Sequence, residues 1–203
     1  MNAALVPRGM RGCAMIPEIP PAGATTAGPA GAAGSEENRV ILRDGSAIVV
    51  RPLATGDVAA IASWFEGLGP ETRHARFLGS VALLDERTRS QLALVDHRDH
   101  EALTAVSPDR AVVGIARYIR LQQSATAEVA VAVADHWRGR GIATLLLQQI
   151  AGRARAAGID CLTALCLASN TAVLGLLGRL GPMTATPPEA EVIEVRINLV
   201  PLR

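Results

Sequence analysis

Arg138-Gly139-Arg140-Gly141-Ile142-Ala143 carries the strongest chemical signal in the chain. Two glycines let a backbone come close to a ligand, and the helical spacing that follows places them at a helix start. A helix start presents unpaired N–H groups and the positive end of the dipole, so the pattern predicts an anion site. Arg138 and Arg140 add charge to it. The residues just before alternate strictly. Val129, Val131 and Val133 fall on one side of a predicted strand, and Glu128, Ala130, Ala132 and Ala134 on the other. Glu128 is the one ionisable side chain in that run, on a face whose alanines leave room for a substrate, which makes it a candidate general base. After the loop, Ile142, Leu145, Leu146, Ile150, Ala154 and Ala157 recur at helical spacing. The unit is strand, basic glycine loop, amphipathic helix.

Three kinds of glycine loop hold phosphates, and the residues discriminate between them. A P-loop needs Gly-Lys-Ser/Thr, and the chain contains no lysine. A dinucleotide fold needs GxGxxG directly after its strand. Here Thr144 stands at the third glycine position, the connecting loop is long, and Asp160 opens the next strand rather than closing it. The third pattern, Gln/Arg-x-x-Gly-x-Gly/Ala, is met at every fixed position by residues 138–143.

On that loop, its flanking strand and helix, and Asn170 at the start of the following helix, the chain resembles the GCN5-related N-acetyltransferases from about Arg39 to Leu199. More finely, segments 50–52, 69–77, 96–103, 114–118 and 127–130 resemble the acetyltransferase domain of bacterial Pat-type protein lysine acetyltransferases. The resemblance implies an acetyl-CoA co-substrate, no metal, and transfer of the acetyl group to an amine by direct attack in a ternary complex. The acceptor would be a protein lysine, with a small amine, or a non-catalytic acyl-CoA-binding role, as alternatives. It implies that backbone groups around Val131, Ala132 and Val133 hold the pantetheine arm. Gly139, Arg140, Gly141, Ile142, Ala143 and Thr144 would surround the pyrophosphate, with Arg138 beside them and Asn170 near the coenzyme. Asn170 fits a helix N-cap equally well. The resemblance also points to Glu128 as the base. Many family members protonate the departing thiolate with a tyrosine seven residues after the asparagine; here that residue is Leu177.

The elements that must position these groups read as an α/β chain with a mixed central sheet of six to seven strands and helices on both faces. Residues 1–38, rich in Ala, Gly and Pro without a period, predict a disordered tail, and 39–203 form one domain. Asp44-Gly45 turns a hairpin that ends at Pro52. Helices are predicted from Thr55 to Leu68, from Glu71 to Leu78 and from Asp85 to Val95. A second hairpin turns at residues 108–110; a strand at 161–167, a helix at 170–180 and a strand at 191–199 complete the order. Arg73, Arg76 and Arg117 could line an acidic acceptor surface, and fit ordinary structural arginines equally well.

Composition narrows the classes further. The 203 residues are 49% hydrophobic with net charge +1 and 2% aromatic, which excludes a basic nucleic-acid binder and a base-stacking platform. No run of apolar residues reaches membrane-spanning length, and the N-terminus lacks the apolar core of a secretory signal, so the expected location is the cytoplasm, with no membrane partner. Cys13, Cys161 and Cys166 make no metal-type pair, and Cys161 and Cys166 point to opposite faces of one strand. Asp96-His97-Arg98-Asp99-His100 reads as a polar loop; its HxxH spacing alone does not make a metal site.

Overall fold

In the computed structural model, residues 37–77, 94–122 and 124–199 are described. One mixed sheet of eight strands has the order β1-β2-β3-β4-β5-β6-β8-β7. The strands are β1 (Asn38–Ile41), β2 (Ala47–Pro52), β3 (His100–Val106), β4 (Val112–Arg120), β5 (Thr126–Val133), β6 (Cys161–Leu167), β7 (Met183–Ala185) and β8 (Val192–Asn198). Helices α1 (Val58–Glu66), α2 (Pro70–Phe77), α3 (Ile142–Ala156) and α4 (Thr171–Leu177) pack on it. Every pairing is antiparallel except β5 with β6.

The alternation read in β5 is what divides the molecule. Val129 and Val133 enter the core beneath α3, with Leu146, Ile150 and Leu162. Ala132 and Ala134 enter the core beneath α1, with Ile61, Trp64 and Phe65. The small alanines let α1 approach the sheet closely, while the valines fill the other side. On α3 the buried stripe is Ile142, Leu146, Leu147, Ile150, Ala151 and Ala154. Leu147 therefore replaces the expected Leu145, which is only half-buried, because the helix is turned by contact with β3 and β4 as well as β5.

The sheet has one strand more than expected. β7 is a fully exposed three-residue edge strand, so it has no alternation to read. It forms because the chain turns tightly onto β8 at Gly181, where a Cβ would stand 2.0 Å from the Asn198 carbonyl oxygen. Asn38, the last residue of the expected tail, already pairs with Val50 in β1. Residues 1–36 of the predicted tail, and the predicted helix 85–95 up to residue 93, lie outside the described residues. Among the described residues no helix is long and apolar enough to cross a membrane.

The loop 96–100 is held by its own side chains. Asp96 Oδ1 accepts the backbone N–H groups of Arg98, Asp99 and His100 at 2.8–2.9 Å. His97 Nδ1 lies 2.8 Å from Glu101 Oε1. These groups organise a turn into β3.

Candidate active site

β5 and β6 pair only at Thr126–Cys161, Ala127–Leu162 and Glu128–Thr163. Beyond Glu128 the two strands part, β5 running on to Val133 and β6 to Leu167. Backbone groups that a neighbouring strand would satisfy are left facing a cleft, and such groups need partners. A cavity of about 960 Å³ opens there, lined by Val129–Val133 on one wall and Ala164–Leu167 on the other. Its far end is the loop 138–144, and Asn170 and Leu177 also line it.

The loop has the geometry its glycines predict. Asp135–Trp137 forms a 3-10 turn. Gly139 (φ +75°) and Gly141 (φ +92°) then adopt the left-handed conformation that side-chain-bearing residues avoid. Gly141 is the N-cap of α3, and no side chain caps that end. The first N–H groups of a 15-residue helix are thus available to an anion, with the helix dipole behind them. Both arginines also work within the protein. Arg138 lies 3.1 Å from Asp135 and bonds Thr72 of α2. Arg140 pairs with Asp44 at 3.0 Å, bonds the His136 carbonyl at 3.1 Å and stacks on Trp137 at 4.6 Å. The loop is braced to α2 on one side and to the β1–β2 turn on the other. Asn170 Oδ1 accepts the Val173 N–H at 3.2 Å, so it caps α4 as well as lining the cavity.

Glu128 sits at the last paired position before the strands part, half-buried on the sheet face that carries α1 and α2. It stands just beyond the cavity wall, which begins at Val129. Burial pushes its pKa up; Arg76 on α2 pulls it back, and Glu194 on β8 pushes the same way as burial. The net result is a carboxyl above its ordinary value. Arg76 and Arg117 gather on this face, and burial lowers their pKa values to about 10 and about 9, which leaves both charged at neutral pH. Arg73 turns away: its Nε donates to the Leu68 carbonyl at 2.8 Å and its guanidinium lies 5.4 Å from the Phe65 ring centre. Tyr118 is on the opposite face from Glu128, paired in register with Val129, and its hydroxyl donates to the Arg98 carbonyl at 2.9 Å. Leu177 is buried at the position where the resemblance implies a tyrosine donor.

The cleft thus joins the expected coenzyme residues 131–133 and 138–144 and Asn170 in one cavity, and Glu128 precedes the first lining residue of β5. Glu194, Thr72 and Asp135 were not singled out from the sequence. They lie on other elements, and no spacing rule connects them to Glu128.

Comparison with known proteins agrees with this geometry. The family model for acetyltransferases of the GNAT family matches residues 61–181. An acetyltransferase of Pseudomonas aeruginosa is 29% identical over 151 residues, which is 73% of this chain and 81% of that protein. Acetyltransferase Pat of Mycolicibacterium smegmatis is 32% identical over 147 residues, 70% of this chain; the chain spans only 43% of that relative. The solved GNAT domain of S. lividans PAT aligns with a TM-score of 0.74 at 28% identity, over 80% of this chain and 97% of that domain.

Proposed function

The chain belongs to the acetyltransferase (GNAT) family and is an acyl-CoA-dependent N-acyltransferase, and from that premise we propose that it transfers the acetyl group of acetyl-CoA to lysine side chains of acceptor proteins. The observation that carries this is the raised carboxyl of Glu128 at the point where β5 and β6 part. The pantetheine arm lies between the strands, its amides against the backbone of Val131–Val133. The pyrophosphate lies on the loop 139–144, and the thioester reaches toward Glu128.

A lysine amine has a pKa near 10.4, so making it neutral at pH 7 costs about 4–5 kcal/mol. Glu128 takes that proton, directly or through a water. The amine nitrogen attacks the thioester carbonyl carbon, a C–N bond forms, and the oxyanion rests on backbone N–H groups of β5. The nitrogen gives up its second proton to solvent, the C–S bond breaks and the thiolate leaves. A carboxyl with a raised pKa is a stronger base once ionised, which suits it to this step. The leaving thiolate takes its proton from solvent, because Leu177 cannot supply one. Protein lysine as acceptor is supported by the likeness to Pat-type enzymes. A reaction that consumes acetyl-CoA also fits the cytoplasm.

The test is acetyl transfer by the purified protein, wild type against Glu128→Gln. The expected fall in kcat is about 10²–10⁴-fold with unchanged coenzyme affinity; equal rates would remove Glu128 as the base. A panel of acceptor proteins beside free amino acids and polyamines fixes the acceptor, and turnover confined to the free amines would overturn the lysine assignment.

A further inference from the structure

The contacts that hold α2 converge on a carboxylate outside both α2 and the strand that carries Glu128. Asp135 opens the turn between β5 and the glycine loop. Its Oδ2 accepts the Gly69 backbone N–H at 2.6 Å, and its Oδ1 accepts the Thr72 hydroxyl. Arg138 donates to the same Thr72 oxygen and also lies 3.1 Å from Asp135 Oδ1. The fit is close. Thr72 is 4% exposed, and a Cβ on Gly69 would stand 3.0 Å from Asp135 Oδ2. Burial alone would raise the Asp135 pKa, but the bonds from Thr72 and Gly69 and the charge of Arg138 outweigh it and hold the pKa below the ordinary value. The clamp therefore stays ionised through neutral pH.

Arg76 follows Thr72 by four residues, one turn along the same face of α2. α2 packs on β5 and β6. The charged groups that face Glu128 among the described residues are Arg76 from α2 and Glu194 from β8. Arg117 of β4 stands near Arg76, and Arg196 of β8 lies 3.9 Å from Glu194.

We propose that Asp135 is a positioning residue for acyl transfer: by pinning the first turn of α2 it sets Arg76 beside Glu128, and by sharing Thr72 with Arg138 it ties that placement to the coenzyme loop. This rests on Glu128 being the base. Filling of the loop and setting of the acceptor side are then linked, and the linkage acts equally in both directions. Loss of the clamp leaves Glu128 without the neighbour that holds its pKa down, so the carboxylate is protonated at a higher pH.

The experiment uses the full chain as Asp135→Ala, Thr72→Val and, as the conservative variant, Thr72→Ser. Two quantities are read: amide hydrogen exchange over residues 70–77 with and without coenzyme A, and the pH dependence of kcat/KM. In the wild type and Thr72→Ser, coenzyme A is expected to slow exchange across α2 several-fold. In Asp135→Ala and Thr72→Val basal exchange rises and the coenzyme no longer slows it. The acid limb of kcat/KM moves to higher pH in those two variants and stays in place in Thr72→Ser. Exchange that is unaltered in Thr72→Val overturns the clamp. Altered exchange with an unmoved acid limb overturns its hold on Arg76. Glu128→Gln keeps the two ideas apart: an acid limb retained in that variant removes the base assignment, and the exchange data then decide the clamp alone.

Discussion

Glu128 and Tyr118 stand on neighbouring strands, yet a single step in register puts them on opposite faces of the sheet. Tyr118 is 1% exposed, and burial, helped by Glu101, raises its pKa to about 12. It is a structural donor to the Arg98 carbonyl. Cys166 lines the cavity, but burial lifts its pKa to about 11, so at neutral pH it is an inert thiol. Glu128 differs because its burial is incomplete and it has an arginine for company. Its folded-state pKa lies above the unfolded one, so the folded state holds the proton more tightly. Its own contribution to stability is therefore greatest below the ordinary carboxylate range and declines as pH rises from there to the raised folded value; the deficit persists at neutral pH. Glu128→Gln removes that titration. The variant should melt above the wild type at pH 7, with the gap closing as the pH falls below the ordinary carboxylate range, as calorimetry across pH would show.

Among the elements, α3 starts at the cavity wall with an uncapped end. Its N-cap lacks a side-chain bond, whereas α4 has one from Asn170. A helix of 15 residues that buries six side chains tolerates an uncapped start, because packing holds it. Gly141 then has space around it: a Cβ there would meet nothing within 4 Å. Gly141→Ala should therefore cost only the left-handed backbone strain, about 1–2 kcal/mol. Calorimetric titration should show coenzyme A binding weakened by about fivefold or more, since relief of that strain would re-aim the first N–H groups of α3. Gly181 is the opposite case. Its Cβ would meet the Asn198 backbone, so Gly181→Ala should lower stability by about 1–3 kcal/mol in urea while leaving the distant loop intact.

At the scale of the molecule, the buried carboxylate of Glu101 fastens the long helix to the sheet. Glu101 is 1% exposed; it accepts from Arg153 of α3 at 3.0 Å and from the Ala102 N–H at 2.8 Å, and it lies 2.8 Å from His97. Glu101→Ala strips three groups of a partner and should lose about 2 kcal/mol in chemical denaturation. The sequence by itself determined the alternation that sorts Val129 from Ala132, the glycine loop at a helix start, both hairpin turns and the likeness that placed the chain in its family. Each of these is a relation between near neighbours along the chain, where period and turn chemistry act. It did not determine that β5 and β6 part after Glu128, that β7 exists, that Leu147 rather than Leu145 is buried, or that Thr72, Asp135 and Arg138 meet. Nor did it separate Arg76, which faces Glu128, from Arg73, which does not. Those outcomes depend on which distant surfaces pack together, and packing is settled only when the sheet and its helices are assembled.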